Sequence, residues 1–396
     1  MLTNRPTYQV SRRASYLERS VLRGLLKHAV DPSLISLAGG LPADEDLPTE
    51  QLNQCMNIVL KRDGAAALQY SPAYAALHEW IADYMLRRNI ACSPENIFIT
   101  NGNQQGLSIL SRLFLDEGKT AVIEEAVFTG TQQGTKGVGA NVVTIPTDLA
   151  HGADVHHLET VLEQHDVKLM ALIPDFHNPL GVSMTENNRR RVAELAARYH
   201  VPVLEDDAYS QLRFTGRILP PIRAFDTSGY VFYLGSFSKM LAPGLRLGFM
   251  VIPESLQPKI TVIRESIDLE TSTLMQRTVA EFLHRGYLEP HIEKLRQSLK
   301  IRAEALMTAL DKHLSDIATW TVPEGGLFTW CVLPENVDTW QLFDEALDAG
   351  VVYIPGGAFS VNGGHKNTMR LNFSRVAPET FDEGIKRLSA VIRKAL

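Results

Sequence analysis

Short apolar segments alternate with amphipathic segments through the middle of the chain. The apolar segments are rich in β-branched and aromatic residues, which is typical of buried strands. They span residues 96–100, 120–125, 141–146, 169–174, 201–207, 230–234 and 248–252. Helical spacing of apolar residues occupies the intervals 103–115, 129–139, 158–165 and 185–199. Strands separated by helices predict an α/β fold in three layers, with a mostly parallel sheet covered on both faces.

The two ends of the chain follow other patterns. Helices are predicted over 14–29, 48–63 and 73–89, and long helices over 260–314 with a break near Gly286. The last part alternates strands and helices again, over 326–333, 340–349, 351–355, 369–373 and 378–395. This division predicts three parts: an N-terminal arm and helix (1–40) packed with the small domain, a large domain (41–285), and a small C-terminal α+β domain (286–396).

Composition narrows the class of protein. The chain has 396 residues, 45% of them hydrophobic, which is enough for a large core in two domains. A formal net charge of −6 gives no nucleic-acid footprint. The three cysteines lie far apart in the sequence and form no CxxC pair, so we expect a reducing, cytoplasmic environment. No apolar run reaches the length of a membrane span. Residues 1–17 lack Asp and Glu but also lack a signal-peptide apolar region, so we expect an arm.

One stretch, YVFYLGSFSKMLAPGLRLG, carries the strongest chemical signal. Its apolar start predicts a buried strand, and Ser236, Ser238 and Lys239 follow directly. Arg246 lies seven residues after the lysine. A lysine amine can form a Schiff base with a carbonyl cofactor, and serine hydroxyls with an arginine bind a phosphate. A solvated lysine in a polar loop is the alternative for this stretch taken alone.

Other candidates also follow predicted strands. Gly102 lies between a strand and a helix, where free N–H groups hold an anion. EDDAY ends another strand, and one buried carboxylate there would need a cation such as a protonated pyridine nitrogen. Asn178, in HNPLG, can donate to an oxygen anion. Arg370 interrupts the apolar strand MRLNF, and a bidentate carboxylate or a structural salt bridge would satisfy it.

Several other kinds of site are not indicated. His151, His156 and His157 cluster without an HExxH or carboxylate pattern, so we expect no metal site. The sequence has no GxSxG, no GxxxxGK[ST], and no GxGxxG after a strand.

The motifs GGLP, LQYSP, NGNQQ, HNPLG, EDDAY, SFSK with PGLRLG, and MRLNFS occur in one order. This order resembles the fold type I pyridoxal-phosphate (PLP) aminotransferases, particularly the branch of α-aminoadipate and kynurenine aminotransferases. It is also similar to the aminotransferase-like domain of MocR regulators. The resemblance extends from about Ser20 to the end of the chain.

The resemblance implies a role for each matching residue. Lys239 would form the Schiff base with PLP and move the proton, Asp206 would pair with the pyridine nitrogen, and Tyr209 and Asn178 would donate to the phenolic oxygen. The phosphate cup would comprise Gly102, Asn103, Gln104, Ser236, Ser238 and Arg246. Tyr70 would reach the phosphate of the neighbouring subunit, which implies a homodimer. Arg370, with Asn178 and the Gly40 backbone, would hold the substrate α-carboxylate.

The chain departs from the family pattern at three places. Phe128 occupies the ring-stacking position where relatives carry tyrosine, which keeps the stacking and removes a hydroxyl. Leu180 replaces the threonine of HNPTG, and Ala73-Tyr74-Ala75 replaces a Gly-Tyr pair. Arg23 lies where α-aminoadipate enzymes hold an arginine for an acidic side chain, and an ordinary helix-surface arginine is the alternative.

The resemblance therefore predicts an aminotransferase working by a ping-pong mechanism through pyridoxamine, with glutamate and 2-oxoglutarate as the expected pair. The same residues serve a β-lyase, racemase or decarboxylase, so another PLP reaction stays open. A PLP-sensing regulatory domain is a further alternative. Regulators carry a DNA-binding domain, for which the residues before Ser20 leave no room, and the net acidity also opposes DNA binding.

Overall fold

The computed structural model describes residues 8–17, 24–25, 27–28 and 31–396. Within them the strands form one large sheet, one smaller sheet and two short pairs. In chain order they are β1 (Ile35–Ser36), β2 (Ile97–Thr100), β3 (Thr120–Glu124), β4 (Asn141–Ile145), β5 (Thr147–Asp148), β6 (Gly152–Ala153), β7 (Val167–Leu172), β8 (Val203–Asp207), β9 (Val231–Ser236), β10 (Gly248–Val251), β11 (Thr319–Trp320), β12 (Phe328–Val332), β13 (Val351–Val352), β14 (Ile354–Pro355) and β15 (Thr368–Asn372).

The large sheet has seven strands in the order β2–β10–β9–β8–β7–β3–β4. Only β10 runs antiparallel to its neighbours, β2 and β9. The strands β3, β4, β7, β8 and β9 pair in parallel, which confirms the predicted three-layer α/β class. Because β10 is antiparallel to both β2 and β9, these two strands point the same way. The carboxyl ends of β2, β3, β7, β8 and β9 therefore meet at one edge.

Helices cover both faces of this sheet, and their bounds follow the predicted periodicity to within a few residues. Those of the large domain are Thr49–Asp63, Ala75–Arg87, Asn103–Phe114, Thr129–Lys136, Val155–Gln164, Glu186–Tyr199, Phe237–Met240, Gln257–Glu265 and Thr273–His284. The sheet's central strands are buried on both faces, as their continuous apolar sequences require. The core beneath them consists of separate apolar clusters on the two faces.

The C-terminal part has its own sheet, in the order β11–β12–β15–β14. Three helices accompany it: Leu288–Leu314, Phe343–Asp348 and Phe381–Lys394. The long helix and the last helix pack together over a core that includes Leu306, Leu310 and Leu388. The predicted helical stretch 260–314 breaks twice, at 266–272 as well as around Gly286. The domain boundaries stay a prediction.

The N-terminal segment differs from the single predicted helix over 14–29. Arg12–Ser15 is a short helix, Tyr16 lies in a turn, and the described residues 24–25 and 27–28 are helical. Tyr16 donates to Glu117 of the large domain over 2.8 Å. His28 instead contacts Phe343, and β1 pairs in parallel with β13 as a separate two-stranded sheet. The described parts of this segment therefore contact residues of both the predicted large domain and the predicted small domain.

Candidate active site

Five strands of the large sheet deliver the predicted site residues to their shared carboxyl edge. Gly102 follows β2, Phe128 follows β3, Asn178 follows β7, Asp206 lies in β8, and Lys239 comes just after β9. Residues far apart in sequence thus meet because parallel strands end at the same edge. The smaller sheet adds Arg370 from β15.

Lys239 lies in the short helix Phe237–Met240, directly after the buried strand β9. Its Nζ donates to the carbonyl oxygen of Gly40 over 2.7 Å. Desolvation, helped by the positive charges of Arg370 and Arg246, lowers the pKa of Lys239 to about 8. An amine with this pKa is partly neutral at neutral pH, which is the form that acts as a nucleophile or a base.

Asp206 is buried, 7% exposed, at the end of β8. Its Oδ1 accepts a hydrogen bond from Asn103 Nδ2 over 2.6 Å. Desolvation raises the pKa of Asp206 to about 6; the hydrogen bond from Asn103 acts against this rise and the charge of Asp207 adds to it. A buried carboxylate with one neutral donor has capacity left for a cation.

Arg370, Asn178 and Tyr209 form one buried chain of contacts. Arg370 donates to Asn178 Oδ1 over 2.8 Å and to the carbonyl oxygen of Ala38 over 2.7 Å. Asn178 Nδ2 in turn donates to the Tyr209 hydroxyl over 3.4 Å. Desolvation lowers the pKa of Arg370 to about 10 and raises that of Tyr209, so both stay protonated near neutral pH.

Two aromatic rings flank the guanidinium of Arg370. It lies 4.1 Å from the ring centre of Phe328 and 4.8 Å from that of Phe359. Arg370 Nε is buried and has no partner in the described structure. The group is therefore held in place between the rings while part of its donor capacity is unused.

The predicted phosphate end forms around the start of the helix Asn103–Phe114. Gly102 has a φ of +78°, and a Cβ there would lie 2.8 Å from the Arg246 guanidinium. The exposed Arg246 donates to the carbonyl oxygen of Asn101 over 3.0 Å. Ser236 Oγ accepts from the Ser238 N–H, and the exposed Gln104 donates to the carbonyl oxygen of Gly130. A helix start beside an arginine attracts an anion.

Two predicted residues lie away from this cluster or at its edge, and a third is not described. Tyr70 is 79% exposed and lines a surface cleft of about 470 Å³ together with Arg264 and Glu270. Phe128 is half-buried, next to Gly130, where a Cβ would lie 2.3 Å from the phenylalanine ring. Arg23 falls outside the described residues.

The sequence reasoning missed the carboxylate next to Asp206. Asp207 is buried and accepts hydrogen bonds from Arg88 (2.7 Å), the Tyr233 hydroxyl (2.8 Å) and Ser210 Oγ (2.7 Å). Arg88 is 119 positions away in sequence. Its signal in the sequence was weak: a second arginine after Arg87 at the end of an amphipathic helix.

Two further properties concern the described residues alone. They include no group of His, Cys, Asp and Glu side chains that could hold a metal ion. None of their helices is long and apolar enough to cross a membrane.

The residues present fit PLP at three points. The half-buried Lys239, whose pKa is lowered, can bond to the aldehyde, and the buried Asp206 can pair with a ring cation. The helix start at Gly102, which a Cβ would fill, can receive the phosphate beside Arg246. These are the three ends of that cofactor.

Known proteins resemble this chain over nearly its full length. The family model for aminotransferase class I and II matches residues 33–388. Aromatic-amino-acid aminotransferase 1 of Thermococcus litoralis is 39% identical over 98% of this chain and 94% of its own. A regulator of the helix-turn-helix type from Bacillus subtilis, YdfD, is 29% identical over 95% of this chain and 77% of its own.

Solved structures agree with the sequence relatives. The kynurenine aminotransferase of Pyrococcus horikoshii, in complex with PMP, has a TM-score of 0.93, 36% identity, and coverage of 98% of this chain and 97% of its own. LysN, the α-aminoadipate aminotransferase of Thermus thermophilus complexed with N-(5′-phosphopyridoxyl)-L-leucine, has a TM-score of 0.90, 34% identity, and coverage of 98% and 97%. The chain therefore belongs to the aminotransferase class I and II family and is a PLP-dependent aminotransferase of fold type I.

Proposed function

We propose that the transamination runs at the site around Lys239, between an amino acid and a 2-oxo acid, with glutamate and 2-oxoglutarate as one pair. The observation that carries this proposal is the Lys239 amine, held at Gly40 with a pKa lowered to about 8 between Arg370 and Arg246. It combines a nucleophile, a base and a positively charged surrounding in one place. The named substrates of the relatives, aromatic amino acids, kynurenine and α-aminoadipate, are the donor classes that we propose to test.

In this proposal Lys239 has two tasks. Its neutral Nζ would hold PLP covalently, as a Schiff base whose formation from the aldehyde releases water. Once free, the same Nζ would accept the proton from the substrate Cα and serve as its carrier. A pKa near 8 suits both tasks, because the amine then gains and loses a proton at little cost near neutral pH.

The carboxylate of Asp206 would keep the ring nitrogen of the cofactor protonated. When bound, PLP supplies an electron sink for the negative charge that develops at the substrate Cα, provided that its ring nitrogen stays protonated. Asp206 holds that proton by charge pairing in a desolvated place, where the pairing is strong. Tyr209 and Asn178 lie side by side and would supply two donors to the ring oxygen.

Arg370 would bind the substrate α-carboxylate. It stays charged, because its pKa of about 10 is well above neutral pH, and the two rings hold its plane in place. Asn178 orients it through the 2.8 Å contact and so links the substrate end of the site to the ring-oxygen end. Binding of 2-oxoglutarate needs a second cation for the distal carboxylate, and Arg23 is the proposed candidate.

We also propose that a homodimer is the active unit and that the protein is cytoplasmic. Tyr70 projects from the surface together with the exposed apolar residues Leu68, Val262 and Leu269. A second copy of the chain would cover these side chains, and Tyr70 of the first copy would then reach the phosphate end of the second copy's site. The three cysteines form no disulfide, which supports a reducing environment. Light scattering in solution measures the oligomeric mass.

The experiment on the function uses reduction with borohydride. The adduct should map to Lys239, and Lys239→Ala should lose it together with at least about 10³-fold of the half-reaction rate. Lys259→Ala, at an ordinary helix lysine, is the matched control and should keep both. An adduct on another lysine would contradict the proposed site.

A donor panel then tests the substrate. Aromatic amino acids, kynurenine, 2-aminoadipate and glutamate are offered with 2-oxoglutarate or pyruvate as acceptor, with and without Arg23→Ala. The donor alone should transfer its amino group once and release no ammonia. Sustained release of ammonia and pyruvate would instead indicate elimination. Equal rates with both acceptors, unaffected by Arg23→Ala, would contradict the proposed 2-oxoglutarate selectivity.

A further inference from the structure

Asn103 lies at the boundary between the ring end and the phosphate end of the site. It is the first residue of the helix Asn103–Phe114, directly after Gly102. Its Nδ2 donates to Asp206 Oδ1 over 2.6 Å and to the carbonyl oxygen of Leu234 over 3.4 Å. Leu234 in β9 is the register partner of Asp206 in β8. The amide therefore spans two neighbouring strands at their carboxyl ends.

The orientation of this amide is fixed by its neighbours. Both groups at Nδ2 are acceptors only, so the NH₂ side must face them. Asn103 Oδ1 is buried and has no hydrogen-bond partner among the described residues. A Cβ on Gly248 would lie 3.0 Å from it, so the strand β10 closes this side. The side chain is thus committed to Asp206 and does not point to the anion site at the helix start.

We propose that Asn103 is a positioning residue for Asp206: its amide holds one carboxylate oxygen in place and leaves the other to the ring nitrogen. The inference rests on the proposed role of Asp206. It revises the expectation that the Asn103 side chain belongs to the phosphate cup. The side chain would act on the carboxylate that pairs with the ring nitrogen, as a donor that favours its ionised form.

The surroundings of Asp206 favour its protonated form, and the hydrogen bond from Asn103 opposes them. Burial opposes the ionised form of Asp206 and brings its pKa to about 6, although Asn103 opposes this shift. The other groups that interact with it are Asp207, on the same strand, which raises the pKa, and Tyr209, which stays neutral. Asn103 is thus the donor whose loss would move Asp206 toward its protonated form.

Equilibrium binding of pyridoxine 5′-phosphate to the full chain freed of cofactor tests the inference. This probe carries the ring nitrogen and the phosphate but no aldehyde, so it cannot bond to Lys239. Calorimetry from pH 5 to 8 should show wild-type affinity falling as Asp206 protonates. In Asn103→Ala and Asn103→Ser the midpoint should rise by about one pH unit, with affinity at pH 6 about five- to tenfold weaker.

The decisive test repeats the Asn103 substitution in the variant Asp206→Asn, which lacks the carboxylate. There the part of the pH dependence that belongs to Asp206 should vanish and leave the titration of the probe's own phosphate, whose second pKa is about 6. Adding Asn103→Ala should then change the affinity by less than about twofold. Asn101→Ala, a neighbouring asparagine that donates to Asp268 and not to Asp206, is the matched control and should keep the wild-type midpoint. Circular dichroism checks that each variant is folded.

Each other result would overturn the inference. If Asn103→Ala weakens binding of inorganic phosphate, or weakens pyridoxine 5′-phosphate equally in both backgrounds, Asn103 serves the phosphate end. If the midpoint is unchanged while Asp206→Asn removes the Asp206 part of the pH dependence, Asp206 needs no help from Asn103. If Asp206→Asn itself keeps the wild-type profile, the proposed role of Asp206 fails together with that of Asn103.

Discussion

Asp206 and Asp207 are adjacent in one strand but lie in opposite environments. Successive side chains of a strand point to opposite faces of the sheet. Asp206 faces the site and has one neutral donor, Asn103, whereas Asp207 faces the other side and has Arg88, Tyr233 and Ser210. Burial acts against ionisation at both. At Asp206 the effect of burial is larger than that of the single donor, and the pKa rises to about 6. At Asp207 the interactions with Arg88 and Ser210 outweigh burial, and the pKa is lowered.

The difference separates a structural carboxylate from one prepared for a ligand. The Asp207 carboxylate has a cation and two hydroxyl donors within the protein, so its ion pair contributes to the fold, although Arg88 Nε and Nη2 have no hydrogen-bond partner among the described residues. Asp206 is buried with unused acceptor capacity, which costs stability until a cation arrives. A strand of two consecutive acids can therefore serve folding on one face and binding on the other.

The largest expected effect concerns the Asp207 face. Arg88→Met leaves the buried Asp207 without its cation, and we expect a loss of about 3–5 kcal/mol in the free energy of unfolding. Urea denaturation of the cofactor-free protein measures it. Arg87→Met, at the exposed neighbour in the same helix, which packs on Trp80 and Tyr84, should cost less than about 1 kcal/mol. Equal losses in the two variants would show that the buried pair has no special role.

The second effect concerns Asp206, where removing the charge should raise the free energy of unfolding near neutral pH. Its pKa in the folded chain, about 6, lies above its ordinary value of 3.8, so the folded state binds the proton more tightly. This group therefore stabilises the fold below about pH 4, and the contribution is lost as the pH rises through 6. We therefore compare the free energy of unfolding of Asp206→Asn with that of wild type, both free of cofactor. The difference, variant minus wild type, should be about 1–3 kcal/mol larger at pH 7.5 than at pH 4.

Asp207 should show the reverse dependence, because its pKa is lowered and its contribution is present above about pH 4. Asp207→Asn should therefore cost more at pH 7.5 than at pH 4. Urea unfolding at the two pH values measures both variants. If both show the same sign, the contrast between the two faces is wrong.

This contrast marks how far the sequence could predict the site. Gly102, Asn178, the EDDAY stretch and Lys239 were candidates because each lies at or just after the end of a predicted strand, whereas the choice of Asp206 and the role of each residue came from the family resemblance. The structure brings these strand ends to one edge. The seven strands of the large sheet were predicted from their short apolar runs. The arginine at position 370 was visible as a charge in an apolar strand.

Long-range partners were not predictable in this way. Nothing local assigns Arg88 to Asp207, 119 positions away, or turns the Asn103 side chain toward Asp206. Such contacts depend on how strands and helices stack in three dimensions. The break at 266–272 was missed although Ile267 and Leu269 are only two apart and Ser272 caps the helix that follows. The turn at Tyr16, where the ring contacts Glu117 of another element, was missed because tertiary contacts override periodicity.

The smallest expected effect tests how completely Asp207 is satisfied. Ser210 donates both its hydroxyl and its backbone N–H to this carboxylate, over 2.7 and 3.0 Å. Ser210→Ala removes the hydroxyl and keeps the N–H, Arg88 and Tyr233, so we expect a loss of about 1 kcal/mol, measured by urea denaturation. Ser266→Ala, at an exposed hydroxyl that donates to a helix carbonyl, should cost less than about 0.5 kcal/mol. A loss at Ser210 as large as that of Arg88→Met would mean that the hydroxyl is indispensable to the network and that charge pairing does not dominate it.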